Sequence, residues 1–412
     1  MRSVEQHRAE VLELVRPLEP IELDLMRAHG GVLAEPVVSR VSLPQVDNSA
    51  MDGYAVRLAD VSNATEEEPV HLPVVADIAA GDSATHALRD GLCARIMTGA
   101  PMPAHAQAVV PVEWTDGGLA RVEIRRSPPA GNAVRRSGED IESGTTVLRR
   151  GARLGAAELG VLAAVGRDSA PVHPRPRVVV MGTGAELVEP PHPIGPGQIW
   201  DSNSYALTAA AIDAGCIGYR YGFVGDDPAT FLDTLDEVLV QADLVITTGG
   251  VSMGAYDIVK EVLSQQGTVT FDRVAMQPGM PQGFGTIGES GVPILTLPGN
   301  PVSAYVSFQL FVLPVLRRMQ GLSPEPPPAV RAQLATPVTS PPGRRSYLRA
   351  VLEYRGDATQ DVPAYTVEVV SRQGSHQLSA LAETNALVVV PEQITELPAG
   401  SIVETITLPG RH

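Results

Sequence analysis

Three stretches decide how this chain folds: RVVVMGTGAEL (177–187), DLVITTGG (243–250) and VPILTLPGNPVSA (292–304). Each is a short run of Val, Ile and Leu that stops at glycines, the pattern of a strand buried on both faces and turning sharply at its end. Between and after them the period changes. DSNSYALTAAAIDAGC (201–216), DPATFLDTLDEVLVQA (227–242), YDIVKEVLSQQG (256–267) and PVSAYVSFQLFVLPVLRRM (301–319) carry apolar residues at helical spacing, and Asp201 or Ser202 is placed to cap the first. CIGYRYGFV (216–224) supplies a further strand, and the stretch before 292 reads as irregular. Strands alternating with helices predict a parallel sheet with helices on both faces.

Outward from this block the text differs. Val4, Val11, Leu14, Val15 and Leu18 predict a helix over 3–17. From about Gly31 to Arg175, short β-branched runs such as HLPVVADIAA, AVVPVEW, RVEIRR and TTVLRRG alternate with Gly/Pro turns, and GAAELGVLAAVG (155–166) predicts one helix among them. GLSPEPPPA (321–329) is a proline-rich linker, and 330–412 returns to short strands. The expectation is a multidomain α/β plus β protein, since 412 residues exceed one hydrophobic core.

Composition narrows the class. Apolar residues are 44% and charged residues 19%, as in a globular protein, while aromatics are only 4%. With 31 basic and 47 acidic side chains the net charge is −16, which repels nucleic acid. Cys93 and Cys216 sit in apolar or small-residue surroundings and read as two buried thiols. The start, MRSVEQHRAEVLELV, has no signal-peptide core, and Ser303, Ser307, Gln309 and Pro314 interrupt the most apolar run, so a cytoplasmic protein with no membrane span is expected.

In an open parallel sheet, ligands bind beyond the carboxyl ends of the strands. Those ends here are Gly182-Thr183-Gly184, Thr248-Gly249-Gly250 and Pro298-Gly299-Asn300, where glycine lets backbone N–H groups approach an anion and the following helix N-termini add positive potential. Neither the P-loop consensus nor the full dinucleotide fingerprint is present. Carboxylates stand in or near the same loops: Glu186, Asp226 and Asp257, with Asp52 and Asp140 earlier. Acids near helix starts serve as caps, which is the plain reading of Asp226 and Asp227; beside a phosphate loop they also suit Mg²⁺. The histidines form no spaced ligand set for zinc.

DNSAMDGYA (47–55), RIMTGAPMP (95–103), RRSGEDI (135–141), TGAEL (183–187), TTGGVSMG (247–254) with Asp257, LPGNPVSA (297–304) and GSHQLSALAETNAL (374–387) together resemble the molybdopterin molybdenumtransferase (MoeA/gephyrin E-domain) family, in order and over nearly the whole chain. The resemblance implies four domains: 1–45 with 142–176, an inserted β domain at 46–141, a three-layer molybdopterin-binding α/β domain at 177–322, and a β-barrel-like domain at 330–412. It implies insertion of molybdenum into adenylylated molybdopterin with release of AMP, using Mg²⁺, in a homodimer, with molybdopterin nucleotide and molybdate as substrates and the adenylyltransferase of the same pathway as a partner. Carried over, the catalytic positions are Asp52, Thr98, Asp140, Glu186, Asp226, Asp257, Arg273 and Ser375; Glu186, Asp226 and Asp257 would hold the metal. Asp52, Thr98 and Asp140 would reach across the dimer. Gly182, Thr183, Gly184, Gly249, Gly250, Ser252, Gly254, Pro298, Gly299, Asn300 and Arg345 would bind the pterin and phosphates.

The chain departs from the family pattern K-L-A-x-K-P-G-K-P, where it has Arg273-Val-Ala-Met-Gln277-Pro-Gly-Met280-Pro. Two cations are thereby removed from the expected oxyanion site, and Arg344, Arg345 and Arg349 are candidates to replace them. TGDEL has likewise become TGAEL, with Ala185 losing a carboxylate. Three other readings stand beside active transfer: a paralogue with altered oxyanion use, such as tungstate, a non-catalytic pterin-binding scaffold, and the sister adenylylation reaction, which the additional domains disfavour.

Overall fold

The structure is a computed structural model describing residues 1–224, 228–250, 258–265, 268–356 and 363–408. The chain forms two compact units, one of Met1–Leu23, Ala28–Ala34 and Pro171–His412, the other of Asp24–Arg27 and Glu35–Ala170.

In the first unit lies a six-stranded sheet made of β1 (Arg177–Thr183), β2 (Ile217–Val224), β3 (Leu244–Thr248), β4 (Val269–Arg273), β5 (Pro281–Ile287) and β6 (Val292–Leu297), in the order β2-β1-β3-β6-β5-β4. β1, β2, β3 and β6 run parallel. β5 is antiparallel to both β6 and β4, so the sheet is mixed where an all-parallel one was expected. The stretch that reads as irregular hides this antiparallel pair because Gly279, Gly283 and Gly285 interrupt its apolar pattern. Gly285 is required by packing: a Cβ there would lie 2.1 Å from the Thr268 carbonyl oxygen.

Alternate residues of the central strands enter two separate cores. Val178, Val180, Leu244, Ile246, Leu295 and Leu297 join one, while Val179, Met181, Val245 and Ile294 join the other. Helix α1 (Asn203–Asp213) and the helical run from Pro301 to Met319 pack into the first core through Leu207, Ala211, Val302 and Phe311. Helices α2 (Pro228–Leu239) and α3 (Ile258–Gln265) fill the second through Phe231, Leu235, Val259 and Leu263. Burial on both faces explains why these strands are uninterrupted in Val, Ile and Leu; each such side chain contributes about 1.5–3 kcal/mol. The run 301–319 contains one π-helical turn, Phe308–Val312. Pro314 accounts for it, having no N–H to donate to Leu310 and a ring that would meet that carbonyl.

The N-terminal helix spans Val4–Glu13, closed at its start by a reciprocal Ser3–Gln6 capping box. It joins the first core through Val4 and Val11. After the proline-rich linker, β7 (Ala329–Leu334), β8 (Arg345–Tyr354), β9 (Tyr365–Val369), β10 (Ala386–Val390) and β11 (Ile402–Thr407) close into a ring β8-β9-β7-β11-β10-β8. Closure leaves no free strand edge. Its interior is filled by Ala332, Leu334, Ala350, Val367, Val388 and Val403. Cys216 is buried in this first unit and Cys93 in the second, and neither is in a disulfide.

The second unit centres on a five-stranded sheet in the order Ala108–Pro111, Gly53–Val56, Cys93–Ile96, Val70–Ile78, Arg121–Ile124. It also contains the expected helix, at Ala156–Ala164. No helix of the described residues is long and apolar enough to cross a membrane.

Candidate functional site

The parallel strands β1, β3 and β6 are adjacent, so their glycine-rich ends meet. Thr183 donates its hydroxyl to the Thr248 carbonyl at 3.2 Å, the Thr248 hydroxyl donates to Pro298 O at 3.1 Å, and Gly249 N donates to Leu297 O at 3.1 Å. Asn203, at the start of α1, ties the ends of β3 and β6 together: its Nδ2 donates to Thr248 Oγ1 at 2.9 Å and to Gly299 O at 2.7 Å. Gly249 has φ +99°, and a Cβ there would stand 2.4 Å from Thr183 O. Gly184 has φ +139°, and its missing Cβ makes way for the Glu186 carboxylate. Gly182 is buried behind them, its bare Cα leaving room for Leu187 and for Asp201. The glycines are therefore demanded by geometry.

These ends open on a cavity of about 1050 Å³. Among the residues expected from sequence, Thr183, Gly184, Glu186, Gly249, Gly250, Pro298, Gly299, Asn300 and Ser375 line it. Glu186 is exposed. Asn300 is the N-cap of the helical run at Pro301, yet its side chain makes no capping bond. One helix amide is taken by the neighbouring loop, since Val302 N donates to Ser375 O at 3.1 Å. Asp201 lines the cavity although it is itself buried, and its carboxylate accepts from Ser204 N and Ser204 Oγ, fixing the start of α1 although Ser202 occupies the cap position. Asp226, Ser252, Gly254 and Asp257 lie outside the described residues.

The loop that departs from the family pattern forms a further wall. Gln277 and Met280 line the cavity, and Met276–Gln277 pairs parallel with Arg345–Ser346 of the barrel. The loop is pinned by Gln282, whose buried Nε2 donates to Gly279 O and to Ser307 Oγ, both at 2.6 Å. The arginines divide differently from expectation. Arg344 lines the cavity. Arg273 does not, and its Nε contacts Met280 Sδ at 3.2 Å. Arg345 is likewise absent from the lining; it is paired with Glu5 and, at 3.1 Å, with Glu392. Arg349 is fully buried and donates to the carbonyls of Gln377 (2.7 Å), Arg372 (2.5 Å) and Gly374 (3.1 Å). Burial, with Arg372 nearby, lowers its pKa. Its fork holds in place the segment that carries Ser375.

In the second unit, the motifs DNSAMDGYA (47–55), RIMTGAPMP (95–103) and RRSGEDI (135–141) are laid side by side. Ser49 N donates to Ala100 O and Gly99 N to Ser49 O, while Val134–Arg135 pairs with Asn48–Ser49. Asp52 and Thr98 are joined directly: Thr98 N and Oγ1 both donate to Asp52 Oδ1, at 2.7 and 2.8 Å. These bonds, the backbone one foremost, hold the Asp52 carboxyl below its usual pKa. Asp47 accepts from Ser137 N at 2.8 Å and from Arg136 at 2.5 Å, and its pKa is lowered by the same two partners. Asp140 is exposed in the same turn cluster, its N–H donating to Leu43 O at 3.0 Å.

Sequence reading missed Asn203 and the anchoring part of Arg349. The run Asp201-Ser-Asn-Ser204 offered a signal, because it holds more polar groups than one helix cap requires; a lone arginine in a barrel strand offered none.

Three family profiles match in succession: "MoeA N-terminal region (domain I and II)" over residues 2–166, "Probable molybdopterin binding domain" over 179–318 and "MoeA C-terminal region (domain IV)" over 331–408. Molybdopterin molybdenumtransferase 2 of Mycobacterium tuberculosis is 47% identical over 407 residues, covering 97% of this chain and 98% of that protein. Molybdopterin molybdenumtransferase 1 of the same organism is 40% identical, with 99% of each covered. Two crystal structures of the molybdopterin biosynthesis MoeA protein from Pyrococcus horikoshii match 99% of this chain, with TM-scores of 0.81 and 0.77 at 30% and 27% identity, and 99% and 100% of their own chains covered. The profiles, the relatives and the meeting of strand ends agree: this chain belongs to the molybdopterin molybdenumtransferase (MoeA) family.

Proposed function

We propose that this protein inserts molybdenum into adenylylated molybdopterin in molybdenum cofactor biosynthesis. Molybdate is the metal-bearing substrate: the two dithiolene sulfurs displace a molybdate oxygen, which leaves as water with the two thiol protons, while water adds to the phosphoanhydride between the two phosphoryl groups and AMP leaves. The observation that carries this reading is the convergence of Thr183–Gly184, Thr248–Gly249 and Pro298–Asn300 on one cavity, in a chain 47% identical end to end to a protein named for that transfer.

The residues would divide the work by their chemistry. Backbone amides at Gly184 and Gly250, with the helix start at Asn300–Pro301, suit the phosphates of an anionic ligand in an otherwise acidic protein. Ser375 and Arg344 line the cavity together with Gln277 and Met280, and there they would face the oxyanion. Glu186 offers an exposed hard oxygen donor beside the phosphate cradle; its carboxylate, with those of Asp226 and Asp257, would suit Mg²⁺, which favours one or two carboxylates together with substrate phosphates. When bound, the metal would neutralise phosphate charge as the phosphoanhydride opens. Asp52, Thr98 and Asp140 would act at the cavity of the partner chain in a homodimer, in the cytoplasm, with the adenylyltransferase supplying the substrate. The same reading divides the chain into 1–45 with 142–176, 46–141, 177–322 and 330–412.

The test is direct. Purified protein is given adenylylated molybdopterin, molybdate and Mg²⁺, and AMP release and metal incorporation are followed. Both are expected, and EDTA should stop them. Binding of the pterin without any AMP release would overturn the transferase reading in favour of a scaffold.

A further inference from the structure

Aromatic side chains are only 4% of this chain, with two tryptophans, yet Trp200 stands 49% exposed. It lines the strand-end cavity together with Leu187 and Ile199. The ledge that carries it is a two-stranded parallel ladder, with Leu187 opposite Ile199 and Val188 opposite Trp200. Ile199 N donates to Glu186 O at 2.8 Å and Asp201 N to Val188 O at 3.0 Å. Next to the ladder, Glu189 is gripped by Arg220 at 2.5 and 2.9 Å and by the Tyr205 hydroxyl at 2.7 Å. The indole is tied as well: Nε1 donates to His192 O at 2.9 Å.

Each tie removes a freedom that an exposed side chain normally keeps. The one polar atom of the indole is satisfied, its ring is fixed, and what remains toward the cavity is apolar aromatic surface. A rigid aromatic face binds at low entropic cost, because little is left to order when a ligand arrives. The cavity thus offers two kinds of surface. Backbone amides at Gly184 and Gly250 suit phosphate; the ledge of Leu187, Ile199 and Trp200 suits something flat and apolar.

We propose that Trp200 is the stacking platform for a planar heteroaromatic ring of the substrate. The proposal rests on the transferase reading, whose substrate carries two such rings, a pterin and an adenine, one on either side of its phosphates. Both share the chemistry that an indole face recognises, a broad polarisable π surface.

Trp114 is the other tryptophan, in the second unit with the Arg126 guanidinium 4.4 Å over its ring. Trp114→Phe therefore leaves Trp200 as the sole indole emitter in the intact chain. That protein is titrated with AMP and, separately, with a free pterin, following Trp200 emission and, by calorimetry, Kd. One of the two ligands is expected to quench Trp200, and Trp200→Ala should raise the Kd of that ligand on the order of tenfold. Response to AMP alone assigns adenine to the platform, and response to the pterin alone assigns the pterin. Trp200→Phe separates stacking from scaffolding, since Phe keeps an aromatic face but cannot donate to His192. Recovery of most of the affinity by Phe supports stacking. A Kd that Ala leaves unchanged, or that Phe fails to rescue, overturns the platform while leaving the transferase reading intact. Binding of neither ligand by the parent protein would overturn both.

Discussion

The strand-end cradle and the 276–281 loop border one cavity but are built differently. In the cradle the polar groups are amides, carbonyls and short hydroxyls, and their positions follow from where three parallel strands stop. Local sequence determines them, and nothing distant needs to be charged. The loop was expected to work through long cationic side chains, whose availability depends on everything else they can reach. Arg273 leans on Met280, Arg345 is held by Glu5 and Glu392, and Arg349 is spent on three carbonyls. Among the described residues, Arg344 is the only Arg or Lys in the lining. A site made of backbone is difficult to lose by substitution, whereas one made of charged side chains can be emptied by two changes.

The largest effect should come from disturbing the cradle itself. Gly249→Ala forces a Cβ against Thr183 O, 2.4 Å away, at a φ of +99°. The strand ends would have to separate, and misplacement by about an ångström costs on the order of a hundredfold in turnover. Gly291→Ala is the control, because its φ is +67° with open space around the Cβ. It should cost about 1 kcal/mol of stability through strain alone and leave AMP release unchanged. Equal loss of turnover in both variants would mean that the close approach of the strand ends is not what matters.

How much of this was readable follows the same division. The strands, their order of helices and the cluster of glycines were legible because hydrophobic period and glycine placement are local signals. The antiparallel pair β4 and β5 was not. Its residues alternate poorly, with glycines at 283 and 285 that fit neighbours rather than a strand pattern. Asp52 and Thr98 could be named, but their direct bond spans 46 positions and is visible only when folded. Asn203 and Arg349 are the clearest gaps. A carboxamide bridging two strand ends, and a guanidinium satisfied wholly by carbonyls, look in sequence like any polar helix start and any exposed barrel arginine.

Arg349 tests whether a charged side chain can act as architecture. Arg349→Met keeps the length but leaves the carbonyls of Arg372, Gly374 and Gln377 without their donor, which should cost about 2–4 kcal/mol and lower the melting temperature. Because those carbonyls flank Ser375, KM for molybdate should rise as well. A normal melting temperature with raised KM would move Arg349 from support to direct anion binding. A smaller effect is expected from restoring charge to the loop. Gln277→Lys with Met280→Lys should lower KM for molybdate about tenfold, equivalent to about 1.4 kcal/mol, if cation supply limits the site. No change would show that Arg344 and the backbone suffice.

The smallest effect, in the second unit, asks whether a side-chain pair can be as well defined as a backbone cradle. Asp52 accepts two bonds from Thr98, and its folded pKa is depressed by them. A carboxyl with a depressed folded pKa binds its proton less readily when folded than when unfolded. Its contribution is therefore complete above the unfolded value, about 3.9, and is lost as pH falls through the lower folded one. Asp52→Asn removes the titration while keeping an acceptor oxygen. The stability gap between parent and variant should be constant from pH 7 down to about 5 and should shrink below about 4, as followed by urea unfolding at each pH. A gap that is flat to pH 2.5 would mean that the Thr98 bonds are equally strong to a neutral partner, so that the pair, like the cradle, is held by geometry rather than by charge.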